Sequence, residues 1–135
     1  MQTDVPITIS RHDLGRLKRL LASPPVRGTD AAEALDDELE RAAVVDSTAL
    51  PPDVVSMNSR VRLREQHSER EFELTLVYPG DAGPDRVSVL APVGSALLGL
   101  TVGQAIEWPL PGGRVAELRV LEILYQPEAM GDHDL

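Results

Sequence analysis

Apolar residues change spacing twice along this chain, and the changes divide it into elements. Val5, Ile7 and Ile9 alternate with polar or small residues and predict a short extended lead-in. Leu14, Leu17 and Leu21 then recur at helical intervals, with Arg11, Lys18 and Arg19 largely off that stripe. Ser10 stands where a hydroxyl caps the first turn. Asp13 falls at the reciprocal capping position, its carboxylate near the positive helix end. Gly15 weakens this helix by roughly 1 kcal/mol relative to alanine. Ser23-Pro24-Pro25-Val26-Arg27-Gly28 must stop it, because the prolines remove donors and push the preceding residues toward extended geometry. A second helix starts near Thr29 or Asp30 with the stripe Ala32, Leu35, Leu39 and Ala42. Two short amphipathic helices around a Pro-Gly turn predict an antiparallel, coiled-coil-like hairpin over residues 1–46.

Beyond the turn-rich link Asp46–Pro52 the period shortens to two, which predicts a second unit over residues 53–135. Val61 and Leu63 oppose Arg60, Arg62 and Arg64. After the turn Gln66–Glu69, Phe72, Leu74, Leu76 and Tyr78 alternate with Glu71 and Glu73. Paired as a hairpin, these strands set arginines against glutamates and fix the register. Further strands are expected over 86–90, 104–110 and 115–125. In the last of these the apolar parity changes after Val120, which predicts a β-bulge there. Pro111-Gly112 fits the centre of a type II turn. Between the third and fourth strands, Ser95–Leu100 reads as one apolar helix closed by glycine. So short a helix cannot persist alone in water, so Leu97, Leu98 and Leu100 must be covered by the sheet. The fold class is α+β: a helical hairpin, then an antiparallel sheet of about five strands around one short helix.

Composition narrows the function classes. The chain has 135 residues and a formal charge of -9, so non-specific attraction to a phosphate backbone is disfavoured and no direct, sequence-specific nucleic-acid partner is expected. It has no cysteine, which removes disulfides, thiolate catalysis and thiolate zinc sites. No apolar run approaches a membrane span and the first residues lack the pattern of a signal peptide, so a cytoplasmic location and no membrane partner are expected. Charge also sorts between the hairpin arms. Arg11, Arg16, Lys18, Arg19 and Arg27 lie on the first side, and Asp30, Glu33, Asp36, Asp37, Glu38 and Glu40 on the second. The arms should attract, although exposed pairs contribute only about 0–1 kcal/mol each.

No catalytic constellation emerges. His12, His67 and His133 occupy a helix start, a turn and a tail, and Asp132-His133-Asp134 reads as an acidic terminus. Nucleophile-elbow, phosphate-loop and dinucleotide motifs are missing. The neighbouring acids Asp36 and Asp37 diverge by about 100° on a helix and make no acid–base dyad. Neither a catalytic residue, nor a cofactor, nor a metal site is expected.

Three segments, LPPDVVSMNSRVRLRE (50–65), LAPVGSALLGLTVGQAIEWPLPGG (90–113) and LEILYQPEAMGDHDL (121–135), resemble the regulators of nucleoside diphosphate kinase, the Rnk family, which is related to the Gre transcript-cleavage factors. The resemblance implies an FKBP-like second domain and a partner, bacterial RNA polymerase. Gre factors dock such a domain at the rim of the polymerase secondary channel and send a long hairpin down the pore, where acidic residues at its tip hold a metal that activates water. This chain departs from that pattern. Arms of about 14 residues reach only about 21 Å, and its turn carries no acid before Asp30. Where Gre factors have Asp-Ser-Pro before the short helix, this chain has Leu90-Ala91-Pro92. The resemblance thus implies a non-enzymatic regulator that competes with Gre factors without promoting cleavage. Direct binding to nucleoside diphosphate kinase is the alternative. Aromatic residues are too few to line a prolyl-isomerase pocket. The contact residues it points to are Arg27, Asp30 and Glu33 near the hairpin tip and Pro92, Val93 and Gly94 just before the short helix. Each also has a plain structural reading, as cap, strand breaker or relaxed backbone.

Overall fold

In the computed structural model, residues 6–109 and 111–132 are described, Trp108 and Pro109 by their backbone alone. Val5, Leu110, His133 and Asp134 of the sequence reading lie outside that set. The first strand, β1 (Thr8–Ser10), leads directly into α1 (Arg11–Ala22). Ser10 caps it as expected, its Oγ accepting the Asp13 N–H at 3.0 Å. Thr29 caps α2 (Asp30–Arg41) in the same way, accepting from the Ala32 N–H at 3.1 Å. Each arm has 12 residues, less than two heptads, so the two form a packed helix pair. Lys18 crosses between them to Asp36 at 2.9 Å and Glu40 at 2.5 Å, realising the expected attraction of the arms. Both contacts raise the lysine pKa, the Glu40 hydrogen bond most.

A strand absent from the sequence reading, β2 (Ala43–Val45), follows α2 and pairs with β1 in parallel, Ile9 opposite Val44. Its three residues carry no alternation, and only the distant partner makes them a strand. The remaining strands are β3 (Arg60–Glu65), β4 (Glu71–Val77), β5 (Arg86–Ser88), β6 (Ala105–Pro109) and β7 (Val115–Tyr125), ordered β5-β4-β3-β7-β6. The expected hairpin register holds, with Arg62 opposite Glu73 and Arg64 opposite Glu71. Arg62 binds Glu122 at 2.6 Å on the same outer face. The sheet is mixed where an antiparallel one was expected, because β5 pairs in parallel with β4. Residues 78–85 return the chain through a turn at Pro79–Asp81 before it runs alongside β4.

The parity change in β7 is a bulge. Leu63 pairs with Val120 but Arg62 with Glu122, so Leu121 is the inserted residue, and a second shift follows between Val61 and Arg60. Gly112 adopts φ 81°, ψ 16°, as the third position of a type II turn requires.

The short helix α3 spans Pro92–Leu97, three residues earlier than the expected Ser95–Leu100. Proline suits the first helical position, where its missing N–H costs nothing. Gly99, at φ 79°, ends the turn before Leu100 can join. Leu97 and Leu98 are buried as expected, and Leu100 only partly. They belong to one apolar cluster with Val61, Leu63, Leu118 and Val120 of the sheet. That same cluster contains Ile9, Leu17, Leu35 and Leu39, so the hairpin and the sheet share a core.

Candidate partner-binding surface

The hairpin tip is built to be exposed. Pro24 and Pro25 break α1, the Arg27 N–H donates to Ser23 O at 2.8 Å, and Gly28 adopts φ 83° to turn the chain toward Thr29. Arg27, Asp30 and Glu33 are all exposed there. Asp30 and Glu33 lie in the first turn of α2, where carboxylates complement the helix dipole. They are the first acids after the turn.

The second group of expected contact residues divides. Pro92 is exposed, but Val93 and Gly94 are buried. A Cβ on Gly94 would stand 1.9 Å from the Ser88 carbonyl oxygen, so the glycine exists to let α3 lie on the backbone after β5. Val93 points into the core. Neither offers a side chain to a partner, so within 92–94 only Pro92 can touch one directly.

Where the hairpin meets the sheet domain, the structure places a polar cluster that the sequence did not reveal. Asp13 does not reach back to cap its own helix. Its Oδ2 accepts the Met57 N–H at 3.0 Å, while Oδ1 is buried without a hydrogen-bond partner among the described residues. Burial is the main cause that pushes the Asp13 carboxyl up to about 7; the charge of Glu128 adds to it, and the Met57 N–H and Arg16 oppose it. Ser56 donates to Glu128 Oε1 at 2.7 Å and shares a 2.9 Å contact with the Ser59 hydroxyl. Gln126 donates to the carbonyls of Pro51 and Val54 at 2.8 and 2.7 Å. Arg16 lies 4.3 Å from the centroid of the Tyr78 ring. Burial and the Asp13 charge raise the Tyr78 hydroxyl pKa.

These contacts join α1, the loop before β3, the end of β4 and the C-terminal segment. Their chemistry is that of a joint. Among the described residues no group of three or more His, Asp or Glu is placed to hold a metal ion. The signal available in the sequence was indirect: Ser56, Ser59, Gln126 and Glu128 all lie in the segments that carry the family resemblance. The Ser56–Glu128 and Gln126–Val54 partners are 72 residues apart, beyond what spacing can reveal.

Comparison with known proteins assigns this arrangement to a family. Residues 6–45 match the Rnk N-terminus and residues 50–125 match the C-terminal region of the transcription elongation factors GreA/GreB. The regulator of nucleoside diphosphate kinase of Escherichia coli K12 is 46% identical over 129 residues, covering 94% of this chain and 95% of its own. The chain belongs to the Rnk family. A transcription elongation factor GreA of Clostridium botulinum is 34% identical over 91 residues, 66% of this chain and 56% of its own length. Among solved structures, a prokaryotic transcription elongation factor GreA/GreB from Nitrosomonas europaea superposes with a TM-score of 0.79 at 48% identity, over 90% of this chain and all of its own. Rnk and Gre relationships thus share one architecture, a helical N-terminal part and a curled five-strand sheet. Among the described residues no helix is long and apolar enough to cross a membrane.

Proposed function

We propose that this Rnk-family chain is a non-enzymatic regulator of transcription that binds bacterial RNA polymerase at the secondary channel, competes there with Gre factors and does not promote transcript cleavage. The observation that carries this reading is the hairpin tip. Arms of 12 residues extend about 18 Å at 1.5 Å per residue, and the turn Ser23–Thr29 contains no carboxylate. An arm of that reach can occupy a channel mouth, while the carboxylates nearest its tip, Asp30 and Glu33, belong to no group of three or more His, Asp or Glu placed to hold a metal ion among the described residues. The likeness to GreA/GreB over residues 50–125 supports the sheet domain as the docking unit, with Pro92 on it and Arg27, Asp30 and Glu33 on the hairpin as contacts. Under this reading residues 1–46 and 53–135 are the two functional units, the second FKBP-like, and the protein acts in the cytoplasm.

The test uses purified core polymerase in stalled, backtracked complexes. The chain should bind, a Gre factor should displace it, and the RNA 3′ end should stay intact. Cleavage on its addition would overturn the reading. A second reading rests on the name of the 46% identical relative: direct binding to nucleoside diphosphate kinase. Retention by that kinase with no retention by polymerase would favour it.

A further inference from the structure

Strand β4 is only half covered on its outer side. Its partner β5 pairs only with Thr75–Val77 and stops there. The backbone alternation is fixed by four hydrogen bonds. Glu65 N–H donates to Arg70 O at 2.9 Å and Leu76 N–H to Ser59 O at 3.0 Å, so the even-numbered residues turn toward β3. Thr75 N–H donates to Asp85 O and Val89 N–H to Val77 O, both at 2.9 Å, so the odd-numbered residues turn outward. Below Thr75 the outward positions are Glu71 and Glu73, and no strand among the described residues pairs with them on that side. Two N–H groups and two carbonyls therefore form a bare edge.

A cleft of about 920 Å³ opens beside this edge on the inner face of the sheet, with Phe72, Ala116 and Leu118 in its wall, Arg70 and Asp85 at the strand side and Arg114 opposite. Phe72 faces it because inward and outward side chains alternate, which puts Glu71 and Glu73 on the outer face. Glu71 has no ion pair among the described residues, and Glu73 reaches Arg60 and Arg62 only at 3.8 and 3.9 Å.

We propose that this edge accepts an extended segment of a partner protein as an added strand, with aliphatic side chains turned into the cleft and lysine or arginine turned to the outer face beside Glu71 and Glu73. Backbone hydrogen bonds supply the attraction common to all such segments, and the alternating surfaces select the sequence. Charge decides against a second copy of this chain, because pairing two β4 edges would set glutamate beside glutamate. Arg70 and Arg114 lie at the cleft rim, so the preference for cations is confined to the outer face. The proposal is independent of polymerase binding.

The experiment titrates the full chain, isotopically labelled, with a peptide of about nine alternating lysine and valine residues, a length that spans a strand, and with its glutamate–valine counterpart. The lysine peptide should shift the amide signals of residues 71 and 73, slow their hydrogen exchange and bind at least about tenfold more tightly than the glutamate peptide. The variant E71K/E73K should invert that order, and Glu71→Lys alone, which breaks no ion pair, should reduce it. Signals that move on the acidic face of α2 while 71 and 73 stay unprotected would overturn the proposal by assigning the binding to bulk charge. So would an unchanged preference in both variants.

Discussion

At Asp13 a single side chain links protonation to the fold. Its carboxyl sits near pH 7 in the folded protein and near 3.8 when unfolded. Below 3.8 both states hold the proton and no penalty exists. Between 3.8 and 7 the unfolded chain ionises while the folded one does not, so stability falls as pH rises, and above 7 the loss is complete. The difference corresponds to several kcal/mol at about 1.4 kcal/mol per pKa unit. Asp13→Asn removes the titration and keeps an acceptor for the Met57 N–H. The stability of this variant relative to the parent should therefore rise steadily from pH 4 to 7 and then level off, as followed by denaturant midpoints across that range. A difference that is flat with pH would show that Asp13 does not titrate there.

Elements were legible in the sequence wherever one face is buried and the partner is close. The cap at Ser10 follows from local pattern, as do the arginine–glutamate register of β3 and β4, the limits of β7 and its bulge, where a one-residue slip would expose a whole apolar face. What the pattern could not convey is set at long range. The three-residue strand β2 exists only through its parallel partner, the parallel direction of β5 is set by its pairing with β4, and the start of α3 depends on the backbone of Ser88 lying under Gly94. The candidate contacts were half legible for the same reason: exposure at Arg27, Asp30 and Glu33 follows from turn chemistry, while burial of Val93 and Gly94 follows from what α3 rests on. A pair of substitutions separates those roles. Gly94→Ala should lower stability by about 1–3 kcal/mol, the usual cost of overpacking, and any loss of binding should track unfolding in thermal melts. Pro92→Ala should leave the melt nearly unchanged, so a binding defect there would be a surface effect.

Considered whole, the molecule carries a charge of -9, and Asp30 and Glu33, exposed just beyond the hairpin turn, are the part of that charge that the proposed function sends into a pore. Reversing both, D30K/E33K, should weaken binding to core polymerase several-fold and flatten its salt dependence, measured by competition at two ionic strengths. The fold should survive, since both residues are exposed and Thr29 still caps α2. Equal affinity would move the interface onto the sheet domain.

The base of the arm also has a mechanical consequence. The Ile7 carbonyl accepts the Ala43 N–H at 2.8 Å, which ties the two feet of the hairpin together, and the Ile7 side chain lies so close to Gly99 that a Cβ there would stand 2.4 Å from it. An arm tied down at its foot in that way should pass a load applied at its far end to Gly99, just beyond α3, before it bends at its own base.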